Sequence, residues 1–485
     1  MPDAPAVLTA EVTLSHGQLD RAVSWTANSF KDAGLAPGDR VGVHSRTQVQ
    51  HLITFLALAR LGVGQIAFHP SDPPRYQRRL AERLGIRGMV SDGSGRMAEH
   101  YSLIQPPPAE IGDYQEFEPT ESAPASDGEL PFLFVVTSGT TGIPKLGVLS
   151  HAGFRPRLRP LAHEPVGPGI RALSLVDITF PTAKQMTLRC LGQGGCLALL
   201  DSREADGAAQ FITERGINYL FSPPIHARAF LDLARGGEVL FPEVRAYRIG
   251  TTQVSETLRK EIQHYVTPNL FITYGSTEIG SIAVAPPTLV RDVPGVVGTI
   301  ELGVKAEVRD VEGNPLAPGG IGRLCLKSPG MINGYLDAPE EAARAFQDGW
   351  FKSEDLAAFT ASGVLVHHGR ADDMMIFDGI NIYPAEIENA LLTHGAVKEA
   401  AAFPVRSGAR GETPAAAVVV AEPVSAEELV AYCRSWLGTR APKGLMILPQ
   451  LPRNAAGKVL KKELADMFRR HLEKTDQSAG GDGSI

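Results

Sequence analysis

The 485-residue sequence has few cysteines and no long hydrophobic run. The cysteines form no C-x-x-C pair, and their scatter argues against both a disulfide framework and a zinc site; they are Cys190, Cys196, Cys325 and Cys433. No apolar run reaches the roughly 18 residues of a membrane span. Residues 1–17 lack the basic segment and apolar core of a secretory signal. We therefore expect free thiols in a cytoplasmic protein that has no membrane partner.

Basic residues are not in excess either. The chain has 47 Lys and Arg residues against 54 Asp and Glu residues, a formal net charge of −7. Nucleic acid usually requires a basic protein face, so the composition argues against a nucleic-acid partner. A small anionic ligand remains compatible, because it needs only a few local donors. With 43% hydrophobic and 21% charged residues the chain is typical of a globular protein, and its length predicts about three domains or fewer.

Helix-like and strand-like patterns alternate along residues 17–90 and again from residue 132 to about residue 280. Such alternation predicts crossover units around a parallel sheet, which places the chain in the α/β class. Between residues 294 and 326 the pattern changes to short β runs separated by glycine turns. A second α/β region follows Gly369, and residues 474–485, rich in Gly, Ser and Asp, are predicted to be a disordered tail.

Residues 136–145, VTSGTTGIPK, follow an apolar run that predicts a buried strand. Glycine lets backbone N–H groups approach an anion, and the hydroxyl and lysine side chains add donors. Pro144 precedes Lys145 and Leu146 follows it, so the segment is not a Walker P-loop. The composition predicts a loop that binds phosphate, and a Gly/Thr-rich surface turn is the alternative.

This loop resembles the signature of the ATP-dependent adenylate-forming superfamily, which comprises acyl- and aryl-CoA synthetases, nonribosomal peptide synthetase adenylation domains and firefly luciferase. Other segments resemble later motifs of that superfamily in the expected order; they are YGSTE at 274–278, DGWFKSED at 348–355, GRADD at 369–373, NIYPAEIE at 381–388 and PRNAAGK at 452–458. The resemblance covers nearly the whole chain, and within the superfamily the sequence looks most similar to acyl-CoA synthetases. Each motif alone has modest specificity, but their shared order makes coincidence a poor explanation.

The resemblance implies a two-domain α/β fold. A large N-terminal domain, residues 1–371, would combine sheets flanked by helices with a β-rich subdomain, and would bind ATP and a carboxylic acid. A small, mobile α+β domain, residues 372–473, would carry the catalytic lysine Lys458, with Asp372 as the hinge. Rotation about this hinge would withdraw Lys458 between two half-reactions.

The resemblance also implies which residues bind ATP and Mg²⁺. The nucleotide-binding set is Thr137, Ser138, Gly139, Thr140, Thr141, Gly142, Lys145, Tyr274, Gly275, Ser276, Thr277, Asp355, Arg370 and Lys458. Glu278 offers the hard oxygen ligand that Mg²⁺ prefers. Lys458, Glu278 and Thr140 are the implied catalytic residues, because charge develops on phosphorus and on the leaving group during adenylation.

Each of these residue types also has an ordinary structural role. Tyr274 would stack on adenine or be a core aromatic, and Asp355 would accept from the ribose hydroxyls or cap a turn. Arg370 would hold ribose or phosphate oxygens or form a surface ion pair. The adjacent His367 and His368 would point to opposite faces of a strand, so they are not expected to share a metal ion.

The resemblance further implies where the acid binds; the pocket residues are Asp177, Phe180, Lys184, Ser222, Gly250, Thr251 and Gly275. Asp177 could pair with an amino group of the substrate, or it could cap a helix or face solvent. Lys184 could pair with a second carboxylate or with Asp177 itself. Because Gly250 and Thr251 are small, we expect an open, polar-tolerant pocket and do not favour a long alkyl chain.

Two positions depart from the usual pattern. Glu354 stands where Gly is common and would either weaken nucleotide binding or pair with a cation, and Phe377 stands where a basic residue often lies. Gly379, in the thioester-forming segment, would let a pantetheine arm approach the backbone, or it would be a plain turn glycine. The implied second step therefore transfers the acyl group to a thiol, with CoA as the expected acceptor.

Four other functions remain open at this point. The enzyme could load a carrier protein, or it could couple the acyl-adenylate of an amino-acid-like or other acid to an amine. A luciferase-like oxidoreductase would use the same adenylation step. A non-catalytic ATP-binding regulator is the remaining alternative, although it would not need a mobile catalytic lysine.

Overall fold

The computed structural model describes residues 2–45, 47–69, 72–91, 102–104, 128–137, 145–234, 237–371, 373–377, 380–407, 411–454 and 457–479. Several predicted site residues lie outside these ranges; they are Ser138, Gly139, Thr140, Thr141, Gly142, Asp372 and Gly379. No helix in the described ranges is long and apolar enough to cross a membrane. The predicted α/β class is confirmed, because helices flank sheets with both parallel and antiparallel strands.

The first elements build a six-stranded sheet and one margin of a larger sheet. They are β1 (Pro5–Leu8), β2 (Thr13–Ser15), α1 (His16–Asp32), β3 (Arg40–His44), α2 (Gln48–Leu61), β4 (Gly64–Ala67), α3 (Pro74–Leu84), β5 (Gly88–Ser91), β6 (Leu103–Ile104), β7 (Pro131–Thr137) and β8 (Lys145–Ser150). The six-stranded sheet has the order β6-β5-β3-β4-β7-β8. β7 runs parallel to β4 and antiparallel to β8, so the predicted phosphate loop connects β7 to β8 at one edge of this sheet.

The next elements form the parallel part of a 14-stranded sheet. They are α4 (His151–Phe154), β9 (Arg171–Ser174), α5 (Pro181–Gly192), β10 (Cys196–Ala198), α6 (Ala205–Glu214), β11 (Tyr219–Ser222), α7 (Pro224–Leu233), β12 (Ala246–Ile249), α8 (Glu256–Glu261), β13 (Leu270–Ser276), β14 (Gly280–Ala285) and α9 (Pro287–Asp292). Strands that alternate with helices in this way are buried and almost continuously apolar; β11, for example, is buried at every position.

Antiparallel strands extend the same sheet on its other side. The elements are β15 (Val296–Ile300), β16 (Lys305–Arg309), β17 (Gly322–Lys327), α10 (Pro339–Ala345), β18 (Phe346–Gln347), β19 (Trp350–Phe359) and β20 (Leu365–Arg370). β15 pairs with both β14 and β20, which joins this β-rich region to the parallel strands. The glycine turns of the sequence pattern thus correspond to an antiparallel subdomain.

The C-terminal elements form two small sheets of their own, β21-β22 and β23-β24-β25. They are β21 (Met375–Phe377), β22 (Ile380–Ile382), α11 (Pro384–Leu392), β23 (Val397–Ser407), β24 (Gly411–Val420), α12 (Ala426–Leu437), β25 (Gly444–Ile447) and α13 (Lys461–Ala479). Two hydrophobic clusters lie within this region and contain no residue before Met375. Helix α13 extends to Ala479, into the segment that the composition predicts to be a disordered tail.

Local sequence signals set several of the boundaries. α1 begins with a capping box, in which Ser15 accepts from the backbone N–H of Gln18 while the Gln18 side chain accepts from the backbone N–H of Ser15. α2 ends at Gly62 in the left-handed conformation, with φ 70°, where glycine has no steric penalty. Short irregular turns complete the described helices; they are the 3₁₀ turns Arg155–Leu158 and Gly438–Arg440 and the π turn Ile262–Val266.

Candidate active site

Adjacent parallel strands bring the predicted pocket segments to one edge of the large sheet. β9, β11, β12 and β13 are neighbours in register, so their carboxyl ends lie side by side. Asp177 and Phe180 follow β9, Ser222 ends β11, and Gly250 and Thr251 follow β12. Ligands of open α/β sheets bind outside the carboxyl ends of the strands, so this edge is the natural place for a site.

The predicted nucleoside-binding side chains contact one another. The Tyr274 hydroxyl donates a hydrogen bond to Asp355 Oδ2. Asp355 and Arg370 are paired across β19 and β20, with Arg370 Nη1 3.9 Å from Asp355 Oδ1. His367 Nε2 lies 3.6 Å from the same oxygen, and its ring centroid is 5.6 Å from that of Tyr274. The structure therefore adds His367 to this group, a residue that the sequence patterns considered only as a metal ligand.

This group holds Asp355 ionised. Burial raises the pKa of Asp355, but the contacts with His367, Tyr274 and Arg370 outweigh burial and keep that pKa below its usual value. Burial and the neighbouring Asp355 carboxylate raise the pKa of Tyr274 well above its usual value. At neutral pH a charged carboxylate therefore accepts a hydrogen bond from a neutral phenol. An ionised acceptor at this position is suited to binding hydroxyl groups.

Glu278, the predicted metal ligand, is connected to the predicted phosphate loop through Tyr335. Glu278 is 8% exposed, and the Tyr335 hydroxyl donates a hydrogen bond of 3.0 Å to its Oε1. Lys145 Nζ lies 4.9 Å from the centroid of the Tyr335 ring. Lys145 also pairs with Thr137 where β7 and β8 meet the phosphate loop. We call Glu278, Tyr335 and Lys145 the Glu278 cluster.

The Glu278 cluster is compatible with a magnesium ion bound mainly by a substrate. Within the part of the chain that the structure describes, no group of three or more His, Cys, Asp and Glu side chains could hold a metal ion. Mg²⁺ usually binds one or two carboxylates, several waters and the phosphates of a substrate rather than an all-protein cage. One buried carboxylate, connected through Tyr335 to the lysine of the predicted phosphate loop, matches that pattern.

Arg157 supports the backbone on which Glu278 lies. Its Nη2 donates to the carbonyl oxygens of Thr277 at 3.1 Å and Glu278 at 2.9 Å, and its Nε donates to Gly330 O at 2.7 Å. Burial lowers the pKa of Arg157 to about 10, and the charge of Glu278 opposes that shift. Arg157 and Glu278 are 121 residues apart in the chain. Neither Arg157 nor Tyr335 belongs to a local motif, so the sequence patterns contain no signal for them.

The two departures from the usual pattern have partners. Glu354 Oε1 lies 3.5 Å from Arg323 Nη1, and both side chains are substantially exposed. Phe377 lies under Lys443, whose Nζ is 5.1 Å from the ring centroid. Of the alternatives for Glu354, pairing with a cation is therefore the arrangement in the structure.

Asp177, for which a substrate amino group was one alternative partner, is paired within the protein. Arg203 Nη2 lies 2.5 Å from its Oδ2, and the Thr179 backbone N–H donates to its Oδ1 at 2.9 Å. Burial raises the pKa of Asp177, but Arg203 and Thr179 outweigh burial and lower it strongly. A substrate ammonium would have to displace Arg203 from this carboxylate, which argues against an amino-acid substrate held at Asp177.

Lys184 lies in the interior and does not hydrogen-bond to Asp177. It is 2% exposed, and its Nζ donates to Ile178 O at 2.8 Å and lies 2.6 Å from His51 Nε2. The Nζ is also 4.8 Å from the ring centroid of Phe55. Burial lowers the pKa of Lys184 to about 7, and the charge of Asp177 opposes that shift. Of the alternatives for Lys184, pairing with Asp177 is not the arrangement in the structure, because its Nζ is directed to His51 of α2 and to the Ile178 carbonyl.

The other pocket residues lie at the carboxyl edge with distinct constraints. Ser222 is fully buried, and its Oγ lies 2.7 Å from the Tyr247 hydroxyl. A Cβ at Gly250 would lie 2.8 Å from Thr273 O, so a larger residue does not fit there without a backbone shift. Thr251 has φ 73°, a strained conformation for a β-branched residue. Phe180 packs near His69, with ring centroids 6.1 Å apart.

The Lys458 loop lies against the beginning of α7. Lys458 is exposed, and its backbone N–H donates to Asn454 Oδ1 at 2.9 Å. A Cβ at Gly457 would lie 3.6 Å from Ile225 Cγ2, so the loop approaches the segment that follows Ser222. Lys461, its neighbour in the basic cluster, pairs with Glu388 at 2.8 Å. Lys461 therefore forms an ion pair within the C-terminal elements.

Comparisons with known proteins identify the family. The family model of the AMP-binding enzymes matches residues 1–336, and that of the AMP-binding enzyme C-terminal domain matches residues 386–458.

The fatty acid–[acyl-carrier-protein] ligase ScoC of Streptomyces coeruleorubidus is 28% identical over 499 residues, covering 96% of this chain and 94% of the relative. The feruloyl-CoA synthase of Amycolatopsis sp is 28% identical over 496 residues, covering 96% of each. ATP-bound MatB from Rhodopseudomonas palustris has the same fold, with a TM-score of 0.87, 24% identity and 96% coverage of each chain. The chain therefore belongs to the AMP-binding enzyme family, within the superfamily of acyl-adenylate-forming ligases that its motifs resemble.

Proposed function

We propose that this protein is an ATP-dependent carboxylic acid ligase that forms an acyl-adenylate and then transfers the acyl group to the thiol of CoA. The observation that carries the proposal is the position of β13. This strand and the turn after it hold Tyr274, which contacts Asp355, and Glu278, which contacts Tyr335 beside Lys145. The proposed ribose-binding group and the proposed polyphosphate-binding group therefore lie along one segment, which supports the binding of a nucleotide there.

In the proposed first half-reaction, a carboxylate oxygen of the acid attacks the α-phosphorus of ATP. The new P–O bond forms as the bond to the β-phosphate oxygen breaks, and pyrophosphate leaves. Asp355 and Arg370 would hold the ribose, while Lys145 and the loop residues Thr137–Gly142 would bind the β- and γ-phosphates. A Mg²⁺ ion held by Glu278 and the phosphates would neutralise charge on the leaving group. Tyr335 and Arg157 would orient Glu278 for that role.

Lys458 would stabilise the charge that develops between the acid and the α-phosphate. The closeness of Gly457 to Ile225, whose Cγ2 would lie 3.6 Å from a Cβ at position 457, supports this assignment, because Ile225 follows the pocket residue Ser222. A lysine on a loop can enter such a site and leave it again. Asp372, as the proposed hinge, and Gly379, as the proposed pantetheine contact, would serve the second half-reaction.

The identity of the acyl acceptor is the more specific part of the proposal. The feruloyl-CoA synthase, which is similar over 96% of this chain, supports CoA. The fatty acid–[acyl-carrier-protein] ligase is similar over the same share of the chain and supports a carrier protein as the second candidate. Incubating the activated acid with CoA, with a phosphopantetheinylated carrier protein and with an amine, followed by mass spectrometry of the products, separates these acceptors.

Acid-dependent exchange of labelled pyrophosphate into ATP tests the first half-reaction. We expect exchange with at least one acid of a panel that spans aliphatic, aromatic and hydroxylated acids. Folded protein that binds ATP and yet exchanges with none of them would contradict the enzyme proposal and would favour an ATP-binding regulator. Light or peroxide formation with the activated acid would instead favour luciferase-like chemistry.

Lys458→Ala tests the role of the lysine. We expect exchange to be abolished while ATP binding is largely retained, because the lysine acts on the transition state. Lys462→Ala is the matched control, since it removes an exposed lysine of the same basic cluster and should leave exchange near its normal rate. Retained exchange in Lys458→Ala would remove Lys458 from the mechanism.

A further inference from the structure

A β-bulge in β20 places His367 beside the carboxylate of Asp355. Leu356 of β19 pairs with Gly369 of β20. The next residue of β19, Ala357, pairs with His367, so β20 contains one extra residue at this point. Gly369 has φ 114°, a backbone conformation that glycine adopts without steric cost. An extra residue in one strand changes which of its side chains share a face of the sheet.

The bulge decides which of the two adjacent histidines reaches Asp355. Side chains two residues apart on a strand share a face, so Ala357 shares the face of Asp355, and His367 lies opposite Ala357. Without the extra residue, His368 would take that position. The distances agree with this register, because His367 Nε2 lies 3.6 Å from Asp355 Oδ1 and its ring centroid lies 5.6 Å from that of Tyr274. The bulge therefore directs one histidine into the proposed nucleoside-binding group.

His367 and Tyr274 contact different oxygen atoms of Asp355. The Tyr274 hydroxyl donates to Oδ2, whereas Oδ1 lies 3.6 Å from His367 Nε2 and 3.9 Å from Arg370 Nη1. Both distances exceed that of a hydrogen bond, so Oδ1 keeps lone pairs for a further donor. The side chains of Asp355 and His367 are 15% and 16% exposed, so this pair is not sealed from solvent.

Contacts at both oxygens restrain the direction of the carboxylate. A carboxylate that is held at one oxygen can turn about its terminal torsion, whose energy profile is broad. A donor group at the second oxygen limits that rotation. Burial raises the pKa of Asp355, and among the contacts that lower this pKa the contact with His367 has the largest effect. His367 is therefore the stronger of the two neighbours of Oδ1, and Arg370 is the weaker.

We propose that His367 is a positioning residue that directs the Asp355 carboxylate toward the ribose hydroxyls, and that it thereby sets the preference for ribonucleotides over deoxyribonucleotides. The inference rests on the proposed function, because it assumes that Asp355 binds the ribose of ATP. A fixed, ionised acceptor disfavours a nucleotide that lacks the hydroxyl, since the acceptor is then left unpaired. A carboxylate that is free to turn discriminates less.

Equilibrium binding of three nucleotides tests this inference without an acid substrate. The dissociation constants of ATP, 2′-deoxyATP and 3′-deoxyATP, each with Mg²⁺, are measured for the wild type and for His367→Leu. We expect the wild type to bind ATP more tightly than at least one deoxynucleotide, by about tenfold. In His367→Leu we expect this ratio to fall about fivefold, because ATP loses affinity while the nucleotide without the hydroxyl loses much less.

Further variants separate the imidazole donor from the shape of the side chain. His367→Gln retains an N–H donor and should keep the ratio within about twofold of the wild-type value. His367→Phe keeps an aromatic ring beside Tyr274 but removes the donor, so we expect it to behave like His367→Leu. His368→Leu makes the matched change at the extra residue of the bulge and should leave the ratio unchanged. Thermal unfolding of each variant identifies those that are folded.

The outcomes are distinguishable from one another. An unchanged ratio in the folded Leu and Phe variants would overturn the inference, as would an equal loss of affinity for all three nucleotides. A wild type that binds the three nucleotides equally would overturn it too. The expected ratios in a protein that shows no pyrophosphate exchange with any acid would support the role of His367 and contradict the proposed ligase activity. Absence of ATP binding would contradict both proposals.

Discussion

At the scale of single residues, Tyr335 shows how a side chain outside every motif completes the site. Its hydroxyl contacts Glu278 and its ring faces Lys145, so it joins the proposed metal ligand to the proposed phosphate loop. Burial and the charge of Glu278 raise the pKa of Tyr335, which keeps the hydroxyl protonated and able to donate. The side chain therefore orients one oxygen of Glu278 and leaves the charge of the carboxylate unchanged.

Tyr335→Phe removes the hydroxyl and keeps the ring beside Lys145. We expect the KM for MgATP in pyrophosphate exchange to rise about tenfold, because a hydrogen bond to a charged group is lost. Measuring KM and the Mg²⁺ concentration for half-maximal exchange checks this expectation. Tyr265→Phe, at a tyrosine that is 42% exposed, is the control. Unchanged values in Tyr335→Phe would show that Glu278 does not need the hydroxyl.

At the scale of secondary-structure elements, Lys184 and His51 form a buried contact between α5 and α2. The titratable groups that face this contact are Asp177, after β9, and His44, at the end of β3. Burial lowers the pKa of Lys184 from 10.5 to about 7, so the folded protein holds this lysine neutral at a pH where the unfolded chain keeps it protonated. The unfolded state binds more protons between these values, and folding stability therefore rises with pH in this window.

Lys184→Met removes that dependence. Between pH 7 and pH 9, we expect the free energy of unfolding of the wild type to rise by about 2 kcal/mol relative to the variant. The window lies above the titration of His51, whose pKa is lowered by burial and by Lys184. Urea titrations at both pH values measure the difference, and Lys260→Met, at an exposed lysine, is the control. A difference in the free energy of unfolding between wild type and variant that does not change with pH would contradict a neutral, buried Lys184.

The secondary-structure elements also show which features of the protein local sequence patterns could predict and which they could not. The alternation of strands and helices predicted the parallel sheet, and the motifs led to the prediction of Tyr274, Glu278 and Asp355 as site residues, because those signals lie within a few neighbouring residues. The role of Arg157 depends on contacts with Glu278 and Gly330, which are 121 and 173 residues away. Burial of Lys184 likewise depends on packing against α2. Such contacts arise from tertiary pairing, for which a single sequence contains no local signal.

At the scale of the whole molecule, α7 connects the N-terminal part to the C-terminal elements. Arg228 of α7 donates a hydrogen bond to the backbone carbonyl of Lys398 in β23. Glu399, the next residue, pairs with Arg453, which in turn donates to Gly457 O at 2.8 Å in the Lys458 loop. This series of contacts connects the Lys458 loop to α7.

Arg228→Ala should weaken that arrangement. We expect the rate of pyrophosphate exchange to fall about fivefold, corresponding to roughly one lost hydrogen bond, while ATP binding is retained. Steady-state exchange and equilibrium ATP binding measure the two effects. Arg245→Ala removes an exposed arginine before β12 and serves as the control. An exchange rate equal to that of the wild type would show that the contact does not hold the loop.

The position of the first turns of α7 has a consequence for the thermodynamics of acid binding. Ile225 lies close to Gly457 of the Lys458 loop, and Arg228 binds β23. If an acid bound at the carboxyl edge of the sheet biases the C-terminal elements toward this arrangement, reciprocity requires that the arrangement bias affinity for the acid by the same factor. Preference among acids would then depend partly on the equilibrium between domain orientations. A preferred acid would stabilise the orientation that holds Lys458, the proposed catalytic lysine, in place.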